Sequence, residues 1–236
     1  MDDATVDMTR ELGRRQASDA VSELGWRYLL GALRTMVRVD SLAQAIDVTA
    51  RAVAACGEVA GQHLRMDVRR DLVDFTLQSP ATASITQQDT VLARRISAAL
   101  ADIGVRTSAD AGTVAARSAQ ILEIAIDAVD IAAIRPFWKA VMGYGDEADR
   151  SGPRDALADP LAQGPTIWFQ QMDAPRPQRN RIHFDMSVPH DEARRRVRAG
   201  LDAGGVLVSD AEAPAFWVLA DAEGNEACVT TWQGRD

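Results

Sequence analysis

The sequence predicts an α+β protein with two domains, because helical and strand patterns alternate along most of its 236 residues. The first half gives the order α-β-β-α-β-β-α, and the second half gives β-α-β-β-β twice. Between them, residues 105–118 are small, polar and aperiodic, which is typical of a linker. We therefore expect one domain over residues 9–104 and another over residues 119–233.

The predicted elements of the first half follow from local patterns. Alternating apolar side chains mark the strands, and apolar residues at intervals of three and four mark the helices. Ser41 and Thr86 are the expected N-caps of the second and third helices. The predicted elements are a helix over 9–23, strands over 25–30 and 33–39, a helix after Ser41, strands over 62–69 and 71–77, and a helix after Thr86. The buried stripe expected on the second helix consists of Leu42, Ala45, Ile46, Thr49, Val53 and Ala54.

In the second half, each repeat opens with a strand, continues through a helix and closes with short strands. The predicted elements of the first repeat are a strand over 121–127, a helix over 130–142 and a last strand over 166–172. Those of the second repeat are a strand over 180–186, a helix over 190–202 and strands over 215–219 and 227–231.

Composition limits the classes of partner. A net charge of −8 argues against nucleic acid or an anionic membrane surface, and no apolar stretch approaches the ~20 residues of a membrane span. Cys56 and Cys228 lie in different halves and indicate no disulfide framework. The acidic start of the chain differs from a signal peptide, and the single lysine is typical of a GC-rich bacterial genome. We expect a cytoplasmic protein whose partner is a small molecule, and a homodimer is left open.

The segment after the second predicted helix resembles the active-site half of the pterin-4a-carbinolamine dehydratases, lyases that remove water from a hydroxylated pterin. In that family a Glu is followed, after three residues, by two consecutive histidines, a third His follows a strand, and an Asp opens the last helix. Here Glu58, His63 and Asp89 keep their places. Gln62 stands at the first histidine, and the third histidine falls near Pro80. The resemblance covers most of the first predicted domain.

This resemblance implies that His63 transfers protons, with Glu58, Gln62 and Asp89 positioning it or the ligand. Dehydration needs a proton donor for the leaving hydroxyl and a base for the ring N–H, and imidazole suits both. Gln62 can hydrogen-bond a ligand but cannot exchange a proton. Two interpretations remain, a slow single-histidine dehydratase and a domain in which His63 serves packing or ligand contact only.

The repeated β-α-β-β-β plan, with stretches such as 132–144 and 221–229, resembles the glyoxalase-like branch of the vicinal-oxygen-chelate, or glyoxalase/bleomycin-resistance, superfamily. That family places a metal site at four inward-facing strand positions, usually with His, Glu and Gln as ligands. In this chain the resemblance places the four positions at Glu123, at or next to Gln170, at His183 and at Cys228. A divalent metal held by Glu123, His183 and Cys228 is one interpretation. The other, which we favour, is a metal-free cup for an organic molecule.

Aromatic side chains concentrate on the strands of the second half although they make up only 5% of the chain. Large flat side chains with a few polar neighbours suit an aromatic or heterocyclic ligand. The expected ligand-binding residues are Trp168, Gln170, His183 and Trp217.

Taken with the resemblances, the residues predict a divergent dehydratase-like lyase fused to a glyoxalase-like small-molecule-binding domain, acting on or binding a pterin or a similar heterocycle. The alternative is a non-catalytic protein that binds or sequesters an aromatic molecule, as a resistance protein does. Whether the chain is an enzyme stays open. No cofactor is certain, and a divalent metal in the C-terminal domain is the one left open.

Overall fold

The structure, a computed structural model, describes residues 7–110, 119–176, 178 and 182–234. The chain divides into two compact units, Met1–Ile121 and Leu122–Asp236, and each has its own hydrophobic core. Helices and sheets are mixed in both, so the predicted α+β class is confirmed. No helix of the described residues is long and apolar enough to cross a membrane.

The first unit is a four-stranded antiparallel sheet covered on one face by helices, and its strands lie in the order β1 (Arg27–Leu29), β2 (Ala32–Arg38), β4 (Leu72–Leu77) and β3 (Leu64–Val68). The alternation of buried and half-buried residues along β4 follows from the period of two in a strand. Short 3₁₀ turns at Ser22–Leu24 and Gly57–Val59 join the elements. The helices and strands are α1 (Arg14–Val21), β1 (Arg27–Leu29), β2 (Ala32–Arg38), α2 (Leu42–Cys56), α3 (Ala60–His63), β3 (Leu64–Val68), β4 (Leu72–Leu77) and α4 (Gln87–Ala101).

Helix α2 begins where the sequence predicts, because the Ser41 side chain accepts a hydrogen bond from the backbone N–H of Gln44. Its buried stripe differs from the predicted one. Of the predicted residues, only Ala45 lies in the core, and Val48, Ala52 and Cys56 lie there with it. Thr49 is half-buried, and the other predicted residues are exposed, namely Leu42, Ile46, Val53 and Ala54. Apolar residues occur on both sides of this Ala-rich helix, so the 3–4 spacing fits either face. The small side chains face α4 because they allow close approach of the two helices.

The predicted strand over residues 62–69 begins later, at Leu64. Residues 57–63 instead form a 3₁₀ turn and the single helical turn α3. Ala60, Gly61 and Gln62 have little strand preference, so the chain continues helically after Gly57. His63 is therefore the last residue of a helical turn and not a mid-strand residue.

The first part of the predicted linker belongs to the first unit. Met36 on β2 exchanges two backbone hydrogen bonds with Ser108, of 2.8 and 2.9 Å, and the Thr107 hydroxyl donates to the Leu24 carbonyl at 2.6 Å. Residues 105–110 thus pair with the sheet, and residues 111–118 lie outside the described residues. The domain bounds 9–104 and 119–233 stay predictions.

The second unit contains two four-stranded sheets that repeat one plan, in which the first strand of a repeat pairs with its fourth, the fourth with its third and the third with its second. The first and last strands of each repeat pair in parallel, and the other pairs are antiparallel. The elements are β5 (Glu123–Ala128), α5 (Ile131–Met142), β6 (Gly145–Asp146), β7 (Leu157–Ala158), β8 (Thr166–Gln171), β9 (Phe184–Ser187), α6 (Ala193–Asp202), β10 (Val206–Ser209), β11 (Phe216–Ala220) and β12 (Glu226–Thr230). Positions 180 and 181 of the strand predicted over 180–186 lie outside the described residues.

The two helices of this unit pack against each other at a glycine. Gly200 of α6 lies where a Cβ would be 3.1 Å from a Leu219 methyl and 3.7 Å from the Phe137 ring of α5. After α6, a Cβ on Gly205 would come within 2.4 Å of the same ring. Phe137 and Trp138, which stack edge to face, fill the core beneath.

Candidate functional site

The polar centre of the first unit is a contact between His63 and Asp89. Asp89 is the third residue of α4, and its carboxylate is fully buried. One oxygen, Oδ2, accepts hydrogen bonds from the Thr86 backbone N–H at 2.7 Å and from the Thr86 hydroxyl at 2.8 Å. The other, Oδ1, lies 2.8 Å from Nδ1 of His63. The carboxylate that caps the helix therefore also orients the imidazole.

This contact fixes which imidazole nitrogen can meet a ligand. A carboxylate accepts hydrogen bonds, so Nδ1 of His63 donates to Asp89 and Nε2 is the nitrogen left to meet a ligand. The His63 side chain is 13% exposed, which leaves it largely shielded from water but reachable. An imidazole held by a buried carboxylate is an arrangement suited to proton transfer.

Glu58 and Gln62 lie on the helical turns before His63, and both are exposed. Within the described part of the chain, neither side chain makes a hydrogen bond or an ion pair. The structure thus joins His63 with Asp89 and leaves the other two predicted residues free to contact a ligand from solvent.

Gln78, which sequence reasoning missed, lies beside this site. Its backbone N–H donates to the His63 carbonyl at 3.1 Å, and its side-chain amide donates to the carbonyls of Gly31 and Ala83. Gln78 therefore fixes the loop that contains Pro80, where the third family histidine would fall. The strand register, which places the end of β4 against the start of β3, is the signal that could have found it.

In the second unit, three predicted residues share one sheet face. Trp168 pairs with Ala125 and Gln170 pairs with Asp127 across the parallel strands β8 and β5. By the period of two along a strand, Glu123 faces the same side, opposite to the core-facing Ile126. All three predicted side chains are exposed there.

His183 and Cys228 come together with a residue that was not predicted, Asp185. Their ligand atoms all lie within 4.8 Å of one another, and Nε2 of His183 is 3.4 Å from Oδ1 of Asp185. Asp185 pairs with Cys228 across β9 and β12, and residues 183 and 185 share a face by strand alternation. One imidazole, one thiolate and one carboxylate are ligand types that zinc accepts. Glu123, predicted as a third ligand, is not part of this cluster.

Trp217 does not face the predicted cup. It pairs with Val229, and its side chain packs on the hydrophobic core with that residue. Because side chains alternate along β11, its neighbours Phe216 and Val218 take the opposite face. Trp217 is therefore a half-buried residue on the core side of the sheet, and a ligand contact at this residue stays a prediction.

One cavity of this unit lies along the edge strands β5 and β9. Its volume is about 1220 Å³, and its walls come from β5, the start of α5, Phe184 and the turn over residues 221–226. Trp168, Gln170, His183 and Cys228 are not among its lining residues. This cavity is therefore a separate space for a ligand, and the ligand contacts expected at Trp168, Gln170 and His183 stay predictions.

The turn over residues 221–226 is held in place by its acidic side chains. Asp221 accepts a hydrogen bond from the Trp138 indole at 2.9 Å and bonds from the backbone N–H groups of Glu223 and Asn225. Glu223 accepts from the backbone N–H groups of Val129 and Asp130, at 2.9 and 2.6 Å, where α5 begins. This wall of the cavity is thus fixed to the helix start.

Comparison with known proteins matches each unit separately. Residues 10–99 match the family model described as pterin 4 alpha carbinolamine dehydratase, and residues 123–230 match the model of a glyoxalase-like domain. A solved structure of a transcriptional coactivator/pterin dehydratase from Brucella melitensis is 22% identical, with a TM-score of 0.35, over 38% of this chain and 98% of its own. A glyoxalase-related enzyme from Fulvimarina pelagi is 17% identical, with a TM-score of 0.38, over 48% of this chain and 87% of its own.

A curated relative gives the stronger match. A candidate pterin-4-alpha-carbinolamine dehydratase of Mycolicibacterium smegmatis is 34% identical over 92 residues, which are 39% of this chain and 97% of the relative. The segment in which His63 meets Asp89 lies inside the family match over residues 10–99. Through its first unit, which is fused to a glyoxalase-like domain, the chain belongs to the pterin-4a-carbinolamine dehydratase family.

Proposed function

We propose that the first unit is a lyase that dehydrates a 4a-hydroxytetrahydropterin or a similar hydroxylated heterocycle, with His63 as its single proton-transfer residue. The observation that carries the proposal is the 2.8 Å contact between Nδ1 of His63 and the buried carboxylate of Asp89. It leaves Nε2 of the imidazole as a base oriented by the fold.

In the proposed reaction the proton of the ring N–H passes to Nε2 of His63. The electron pair of that nitrogen forms a C=N bond as the C4a–O bond breaks, and the leaving hydroxide takes a proton to become water. A single imidazole cannot accept the first proton and at the same moment donate the second. Water must therefore protonate the leaving hydroxide, and the protonated His63 then returns its proton to the solvent, which restores the free imidazole. We expect a slow enzyme for this reason.

The test is dehydration of 4a-hydroxytetrahydropterin, generated in place and followed by absorbance above the spontaneous rate. Wild type should exceed the background, and His63→Ala should return to it. Gln62→His, which restores a second imidazole at an exposed position, should raise the rate by roughly tenfold or more. His190→Ala, in the second unit, is the matched control. A wild-type rate equal to background, or one unchanged by His63→Ala, would refute the proposal.

A second function is favoured by the cavity along β5 and β9. A space of about 1220 Å³ with both polar and apolar walls is large enough for a drug-sized molecule, since ligand pockets are typically ~300–1,000 Å³. We propose that the second unit binds an organic small molecule there without chemistry.

A further inference from the structure

The chemistry of this cavity indicates a class of ligand, and the inference rests on the proposed binding function of the second unit. The apolar part of the wall includes side chains that remain open to solvent. Ile182 is 74% exposed and Val129 is 37% exposed, while Ile124, Met172 and Phe184 are half-buried. Large aliphatic groups exposed around a cavity favour an apolar ligand that would cover them.

The charged part of the wall is mostly acidic. Among the described lining residues there are five carboxylates and one guanidinium, a formal charge of −4. The carboxylates belong to Glu123, Asp127, Asp130, Glu223 and Glu226, and the guanidinium belongs to Arg176. Such a wall attracts cations and repels anions.

Two of the carboxylates are already engaged with the start of α5. Glu223 accepts from the backbone N–H groups there, and Asp130 accepts from the N–H of Ala133 as the N-cap. Arg176 lies 3.9 Å from Asp127, and both of these side chains are largely open to water. Glu123 has no cationic partner among the residues that the structure describes. Glu226 also has an interaction partner, so Glu123 is the carboxylate best placed to meet a ligand's charge.

We propose that the cavity along β5 and β9 binds an amphipathic organic cation, with its apolar body against Ile124, Met172 and Phe184 and its charge toward Glu123. The ligand lies apart from the cluster of His183, Asp185 and Cys228, which does not line the cavity. No metal takes part in this binding.

A pair of ions with nearly the same shape and opposite charge tests the charge class. Binding of tetraphenylphosphonium and of tetraphenylborate to the full chain is measured by equilibrium dialysis in a sodium buffer. The phosphonium should bind at one per chain and weaken as salt is raised, and the borate should bind at least tenfold more weakly. Equal or tighter binding of the borate would show that the cavity does not prefer cations, although it would still bind an organic molecule. Binding of neither ion would overturn both.

Charge variants then locate the site. Glu123→Gln should weaken phosphonium binding roughly fivefold to tenfold, as expected for one exposed carboxylate a few ångströms from the charge at a site open to water, where the effective dielectric constant approaches about 80. Arg176→Gln should strengthen it, because the variant removes a positive charge from the wall. Ala125→Trp, which fills part of the cavity, should abolish it. Glu212→Gln, an exposed change outside the cavity, is the matched control. Unchanged affinity in the first three variants would show that the cation binds elsewhere and overturn the proposal.

Discussion

Replacing Asp89 by asparagine separates the two tasks of this carboxylate. The asparagine side chain has nearly the same shape, and its carbonyl oxygen can still accept both hydrogen bonds from Thr86. Its NH₂ group then faces Nδ1 of His63 and must donate to it. The imidazole is forced into the tautomer with hydrogen on Nε2, and the base that faces the ligand is lost.

The magnitudes follow from the three hydrogen bonds at 2.7 to 2.8 Å. A bond to a charged group contributes ~1.5–3 kcal/mol and a neutral one ~0.5–1.5 kcal/mol, and relief of carboxylate desolvation offsets part of the difference. We expect Asp89→Asn to lower the free energy of unfolding of the first unit by about 1–2 kcal/mol. Asp89→Ala leaves the buried Thr86 N–H without a partner and removes the helix cap, so about 3–5 kcal/mol is expected.

The assay combines native-state hydrogen exchange of the α4 amides, residues 87–101, with the dehydration rate. Asp89→Asn should keep most of the exchange protection and lose ~10²- to 10⁴-fold of any rate above background. Asp89→Ala should lose both. A wild-type rate in Asp89→Asn would refute the orienting role of the carboxylate, and full protection of α4 in Asp89→Ala would refute the cap.

Three further predictions concern single side chains. Burial raises the pKa of the Cys56 thiol to about 11. In native protein at pH 8 this residue should therefore react slowly with iodoacetamide, which mass spectrometry measures. Rapid labelling would contradict its burial. Hydrogen bonds from a lysine and an arginine of α5 hold the pKa of Asp146 below its ordinary value of 3.8. The unfolded chain therefore takes up the proton first, and the stabilisation present above that value is lost as the pH falls below it. The urea concentration at the unfolding midpoint should fall less steeply from pH 5 to pH 3 in Asp146→Asn than in wild type or in the exposed control Asp202→Asn. The same dependence on pH in all three proteins would contradict this. Zinc should bind to the metal-free protein, and Cys228→Ser should weaken this binding while Glu123→Gln leaves it unchanged. Competition with a chelating dye measures the affinity. Weaker zinc binding in Glu123→Gln, with no change in Cys228→Ser, would show that Glu123 is a ligand and Cys228 is not.

The starts of the helices were predictable because capping is local chemistry. Ser41 and Thr86 each stand directly before an apolar periodic segment, and each caps the predicted helix. The buried face of α2 was not predictable from spacing alone, since Ile46 and Val48 are equally apolar. Only the closeness of α4 selects the small residues, and that is a property of the packed protein.

In the candidate sites, too, the sequence predicts single residues but not the contacts that depend on the packed fold. His63 and Asp89 were both predicted as functional residues, but their contact spans 26 positions and depends on how α4 packs beside α3. Asp185 was missed because its importance comes from pairing with Cys228 across two strands. The alternation of side chains along a strand also places Trp217 on the core side of its sheet, because a shift of one residue moves a side chain to the other face.

The glycine contact between α5 and α6 has an evolutionary consequence. The helices belong to different repeats, so each repeat completes the hydrophobic core of the other through Gly200, Gly205 and Phe137. A gene fragment that encodes a single repeat would expose this surface, and it would have to associate with a second copy to fold. Mutational scanning should find Gly205 intolerant even of alanine, because a Cβ there would lie 2.4 Å from the Phe137 ring. Gly200 should tolerate alanine better, because its nearest neighbour is a Leu219 methyl at 3.1 Å.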